Sequence, residues 1–110
     1  MKNKELEEAT KRALDWLEAN PDKHIADDYA RTEAGKSIIR SEGFEEACCF
    51  CIVGRIACEM NAPSFLSVEQ ALEAEGINSS LIIDKQDELV LHGKSSEAIA
   101  EARKLLLGND

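Results

Sequence analysis

Long apolar runs are missing from this sequence: no stretch approaches the roughly 18 consecutive apolar residues of a membrane-crossing helix. The amino terminus, Met-Lys-Asn-Lys-Glu-Leu-Glu-Glu, also lacks the apolar core of a signal peptide. Together these absences lead to the expectation of a cytoplasmic chain with no membrane partner. Basic residues are scarce over residues 41 to 91, where ten acids face only Arg55 and Lys85. Phosphate contacts need clustered Lys and Arg to displace counterions, so direct nucleic-acid binding is not expected. Histidine is limited to His24 and His92, and neither stands in a pattern that marks a nucleophile–base dyad. No catalytic residue is therefore expected. Internal repeats, linkers and low-complexity tracts are absent too, and 110 residues suit a single domain spanning 1–110.

What remains is acidic and well patterned. Apolar residues make up 44% of the chain, and charged residues reach 32% against a usual value of about 25%. The net charge of −9 is uneven: residues 1–40 carry −1, residues 41–91 carry −8, and residues 92–110 balance. The acidity is thus a block in the middle of the chain.

Residues 2–19 read as an amphipathic helix because Leu6, Ala9, Ala13, Trp16 and Leu17 recur at helical spacing, with Asn20-Pro21 as the stop. Residues 22–43 show no sustained period and read as an irregular connection with one helical turn near Asp28 to Thr32. Residues 44–61 are the most apolar segment. At 100° per residue Ala47, Cys51, Gly54 and Cys58 form a small stripe, and Cys49, Val53, Ile56 and Met60 a bulkier one. That sorting predicts a central helix with a second helix close against the small stripe. Ser67 and Gln70 suggest a capping box opening a short helix that ends at Gly76, and a final helix runs from a cap at Ser95 or Ser96 to Gly108. Residues 81–91 fit either a β-hairpin or a short helix followed by an extended segment. The expected fold is mainly α, a small domain of about four helices around the central helix 44–61.

Three motifs touch on chemistry. Residues 30–37, Ala-Arg-Thr-Glu-Ala-Gly-Lys-Ser, match the loosest phosphate-binding loop, yet the preceding His24 to Tyr29 cannot be the buried strand that such a loop follows. Cys48, Cys49, Cys51 and Cys58 invite a zinc reading. On one helix Cys51 and Cys58 would be about 10 Å apart, too far for one ion, so no metal site and no cofactor are expected. Cysteines in a leaderless chain stay as thiols, with Cys51 and Cys58 serving as small buried hydrophobes and Cys48 on the polar edge. The segment carrying His24, Asp28, Tyr29 and Arg31 is the densest mixture of polar types. Its plain reading is an Arg31–carboxylate pair that pins the loop, and its functional reading is a small-ligand or catalytic pocket.

Two stretches, Ala-Cys-Cys-Phe-Cys-Ile-Val-Gly-Arg-Ile-Ala at Ala47 to Ala57 and Leu-Val-Leu-His-Gly-Lys-Ser-Ser-Glu-Ala-Ile at Leu89 to Ile99, follow Ala30, Arg31 and Gly35. This order resembles a family of small phage and actinobacterial proteins of unknown activity. Its members carry an alanine-arginine-glycine stretch and a central cysteine-leucine-x-glycine-alanine helix. Here Arg55 stands where the family usually has alanine, and His92-Gly93 where it tends to an Asn-Asp pair. The resemblance implies a mobile-element or bacterial origin and a compact helical fold centred on Cys51 and Gly54.

Glu69 and Glu73, four residues apart on one helix, repel each other by a few tenths of a kcal/mol. With Glu75, Glu45 and Glu59 they make the expected docking face for a basic protein surface. The function expected is that of a non-enzymatic acidic interaction protein, in concrete form an inhibitor of a host nucleic-acid-handling or defence complex. The alternative is a small-ligand-binding or catalytic domain built on residues 24–31.

Overall fold

A computed structural model describes residues 1–38 and 44–108. Helix α1 (Lys4–Ala19) is capped by Asn3, whose side chain accepts the Leu6 N–H at 3.1 Å, and it ends at Asn20 ahead of a 3-10 turn, Pro21–Lys23. Strand β1 (Ala30–Thr32) pairs antiparallel with β2 (Ala47–Phe50), and β2 runs into α2 (Ile52–Met60). Helices α3 (Phe65–Ala74), α4 (Ser79–Leu91) and α5 (Ser95–Leu107) complete the chain. The fold is mainly α with one small two-stranded sheet.

α1 buries Leu6, Ala9, Ala13, Leu14 and Leu17 against α2 and α5, while α2 also meets α3 and α4. The common core is filled by Ile52, Val53, Ile56 and Ala57 of α2, Phe65, Val68 and Leu72 of α3, and Ile99, Ala102 and Leu106 of α5. Burial of this kind supplies on the order of 25 cal/mol per Å² of apolar surface and is the main force holding the helices together. Among the described residues no helix is long and apolar enough to cross a membrane.

Several boundaries differ from the sequence reading. The central helix covers 52–60 and not 44–61, because residues 47–50 find a strand partner in 30–32. In place of the helical turn expected near Asp28 to Thr32, Asp28 and Tyr29 form a bend that leads into strand at Ala30–Thr32. Both alternatives at 81–91, the hairpin and the short helix with an extended segment, are replaced by the continuous helix α4, capped by Asn78. Ser64, not Ser67, caps α3, and Ser67 returns a hydrogen bond from its hydroxyl to the Ser64 carbonyl at 2.7 Å. Lys94 precedes α5 without a side-chain cap, so Ser95 is the first helical residue. Part of the irregular connection, residues 39–43, lies outside the described residues.

Gly54 permits a close approach, as its small stripe suggested, but what approaches is backbone. A β-carbon there would stand 1.9 Å from the Tyr29 carbonyl oxygen. The same carbonyl accepts the Cys51 N–H at 3.0 Å. The 27–29 segment is therefore pinned across the amino end of α2, where it forms the rim of a pocket.

Candidate functional site: an acidic pocket beside a buried histidine

Beneath this segment, α4 presents two adjacent polar residues to it. Gln86 is 2% exposed, and its amide is used completely. The oxygen accepts from His24 Nε2 at 2.7 Å and from the Ile52 N–H at 3.3 Å, and the nitrogen donates to the Ile25 carbonyl at 3.2 Å and to the Asp87 carboxylate. The two backbone partners fix which end of the amide is oxygen. His24 must then donate from Nε2, so its Nδ1 accepts from the Ser95 hydroxyl at 2.6 Å. Burial holds the imidazole below its ordinary pKa, opposed by the Gln86 hydrogen bond and the Asp87 charge. His24 is a neutral cross-link between the loop, α4 and α5.

The chain Ser95–His24–Gln86 has the connectivity of a nucleophile, base and orienting group. Such a group also needs room for a reacting atom near the nucleophile. His24 is 5% exposed, and neither it nor Ser95 lines the pocket described next. The arrangement ties the loop to α4 and α5.

Asp27, Asp28 and Tyr29 face Cys51 of the α2 cap and Ile83 and Asp87 of α4 across a pocket of about 190 Å³. Its walls combine carboxylates with apolar surface. Asp28 is occupied: it accepts Arg31 Nε at 2.6 Å and the Ser37 hydroxyl at 2.8 Å, while Arg31 Nη2 reaches the Ala26 carbonyl at 3.0 Å. Asp27 and Asp87 are different, for neither enters an ion pair among the described residues. Asp27 also sits in the left-handed backbone region at φ 71°, uncommon outside glycine, though aspartate tolerates it better than most. Burial pushes the Asp87 carboxyl above the usual range, and the charges of Asp27 and Asp84 push the same way. Hydrogen bonds from the Gln86 side chain and the Asp27 backbone act against them.

Of the polar residues singled out in 24–31, Asp28 and Tyr29 line this pocket, His24 turns inward, and Arg31 pairs with Asp28. The acidic residues expected on one docking face mostly have partners within the fold. Glu69 is only 8% exposed and accepts the Tyr29 hydroxyl at 3.1 Å, which corrects its placement on a solvated face. Glu73 accepts the Ser79 hydroxyl at 3.3 Å, and Glu75 receives the Lys2 and Asn3 N–H groups at 2.7 and 3.2 Å. Glu59 holds Arg12 at 3.1 Å and Arg55 at 2.5 Å, and the Arg55 guanidinium lies 4.0 Å above the Trp16 ring. Glu45 is exposed just before β2. Most of these carboxylates already serve the fold.

Residues 31–37 close on themselves, with Thr32 N–H on the Lys36 carbonyl and Gly35 N–H on the Thr32 carbonyl, both at 2.9 Å. Residues 36–38 form no helix, so the loose phosphate-loop match builds no cradle. The cysteines do not share a helix either: Cys48 and Cys49 lie in β2, Cys51 caps α2, and Cys58 lies within it. Cys51 is buried as expected, whereas Cys58 is only half-buried. Among the described residues no group of three or more His, Cys, Asp or Glu is arranged to hold a metal ion. Asp87 and Gln86 carried no local signal, because only the fold brings α4 against a loop some sixty residues earlier.

Compared with protein-family models, curated proteins and solved structures, the chain finds no significant match.

Proposed function

We propose that this chain is a non-enzymatic acidic interaction protein, and that its partner inserts a basic group, an ammonium or guanidinium, between Asp27 and Asp87. The observation that carries this reading is a pocket with two carboxylates lacking a counter-ion, flanked by Tyr29 and Ile83. Apolar walls suit the methylene stem of a lysine or arginine side chain, whose charged head then meets the carboxylates. Carboxylates left without an internal counter-ion favour association with a basic surface and speed the encounter at low salt. The concrete form is a cytoplasmic inhibitor of phage or bacterial origin, docking on the Lys- and Arg-lined groove of a host nucleic-acid-handling or defence complex. The anchor thereby moves from the glutamates to the pocket.

The test uses butylammonium and butylguanidinium as probes, followed by amide NMR of the full chain, and then a short Arg- and Lys-containing peptide. Shifts centred on Asp27, Tyr29 and Asp87 that fade with added salt support the reading. Shifts scattered over all acidic surfaces, or none at the pocket, overturn it. Saturable binding of the small amines with no gain from the peptide would instead favour a small-ligand protein over a protein-docking one.

A further inference from the structure

Neighbouring residues of a regular strand point to opposite faces of the sheet. Cys48 and Cys49 escape this rule because the β1–β2 ladder is irregular: Arg31 pairs with Cys49, yet the next residue, Thr32, pairs with Ala47. Cys48 is thus the extra residue of a β-bulge, a device that re-aims side chains. The two sulfurs stand 2.9 Å apart. A disulfide bond of about 2.05 Å lies less than ~0.9 Å closer than this, and closing it also strains the intervening trans peptide, whose Cα atoms stand ~3.8 Å apart against a usual ~4.4 to 6.8 Å. Both thiols are free and half-buried, and Cys48 also lines an open groove of about 560 Å³ with Thr32, Lys36, Glu45 and Glu46. A small reagent can reach it.

We propose that Cys48 and Cys49 are a vicinal dithiol and a modification site, oxidised by a small-molecule disulfide to a bond between the two adjacent residues. In the first step the Cys48 thiolate attacks one sulfur of the reagent, forming a mixed disulfide and expelling one reagent thiolate. In the second, Cys49 gives up its proton to solvent and attacks the Cys48 sulfur, expelling the other thiolate. Two cysteine thiols are oxidised and one reagent disulfide is reduced to two thiols. The order follows from the surroundings. Burial, reinforced by the hydrogen bond and charge of Cys48, pushes the Cys49 thiol up to about 11, which makes it the slower nucleophile and the resolving partner. Cys51 is fully buried and pushed up to about 12 by that burial, and burial raises Cys58 too, so neither competes.

The experiment exposes the native chain to oxidised glutathione, quenches with acid, unfolds the product in denaturant, blocks remaining thiols by alkylation, and maps the product by mass spectrometry. The expected product is lighter by two hydrogens, retains no glutathione, and carries alkyl groups on Cys51 and Cys58 only. Cys49→Ser should halt at a stable glutathione adduct on Cys48. A wild-type product that keeps glutathione, links two chains, joins Cys51 or Cys58, or remains fully reduced overturns the proposal.

Discussion

Gln86 and Asp87 are adjacent on α4 and face the same loop, but they are treated in opposite ways. Every polar atom of the Gln86 amide is matched, to His24, Ile52, Ile25 and Asp87. Asp87 is left half-buried near Asp27 and Asp84 and enters no ion pair among the described residues. A satisfied buried network fixes one arrangement of the chain, whereas an unbalanced one costs stability and persists where function needs it. The contrast separates what holds the loop from what the loop is held for.

Gly54 underlies both halves, because the Tyr29 carbonyl rests against it. In an ordinary solvent-exposed helix position, Gly→Ala stabilises by roughly 1 kcal/mol. Here the added methyl meets backbone that cannot turn aside. Gly54→Ala is expected to destabilise by about 3 kcal/mol or more, beyond the usual range for overpacking. Urea denaturation showing a gain in stability would mean that the loop does not lie across α2.

Next in size comes the satisfied half. Gln86→Ala strands the Ile52 N–H, the Ile25 carbonyl and one ring nitrogen of His24, so a loss of about 3 kcal/mol is expected at pH 7.5. The same node gives a pH signature. His24 has a lowered pKa in the folded chain, so the unfolded chain binds more protons once pH drops below about 6.5. Stability should therefore be full above that value and fall, by up to about 1.4 kcal/mol per pH unit, as acidification proceeds towards the folded-state value. Thermal unfolding of wild type and His24→Phe between pH 7.5 and 5 checks it: the slope should shrink in the variant.

The two halves were unequally legible in the sequence. α1 was readable because its apolar spacing and Asn20-Pro21 stop agree, and α5 because Gly108 closes a regular stripe in the left-handed conformation. α4 was not, since Leu81 and Leu91 are largely exposed while the polar Gln86 occupies a core position, so the apolar pattern misreports the buried face. Residues 47–50 mimic a helix in sequence because small residues recur at helical spacing, and strand pairing with 30–32 is a non-local fact. Asp28 and Tyr29 were within reach of sequence reasoning as part of a polar cluster. Asp87, in a run of charged residues, became distinctive only through its distance partners.

The smallest expected change in stability falls on the unbalanced half, and it is the sharpest test of the comparison. Asp87→Asn keeps the side chain's shape and one acceptor oxygen for the Gln86 amide or the Asp27 N–H. It removes a charge that burial and two neighbouring aspartates disfavour. Because the folded-state pKa is raised, the ionised carboxylate weakens the fold as pH climbs through that raised value, and the variant is freed of this penalty. Stability at pH 7.5 should be unchanged or higher, within about 0.5 kcal/mol. Binding of the butylguanidinium probe and of the basic peptide should nonetheless fall, and the salt dependence of peptide association should flatten, because the lost charge is one that ions screen. Wild-type binding should also weaken on acidification as Asp87 takes up its proton, while the variant loses that dependence. A variant that binds as tightly as wild type at low salt would place Asp87 with Gln86, among the groups that merely hold the loop.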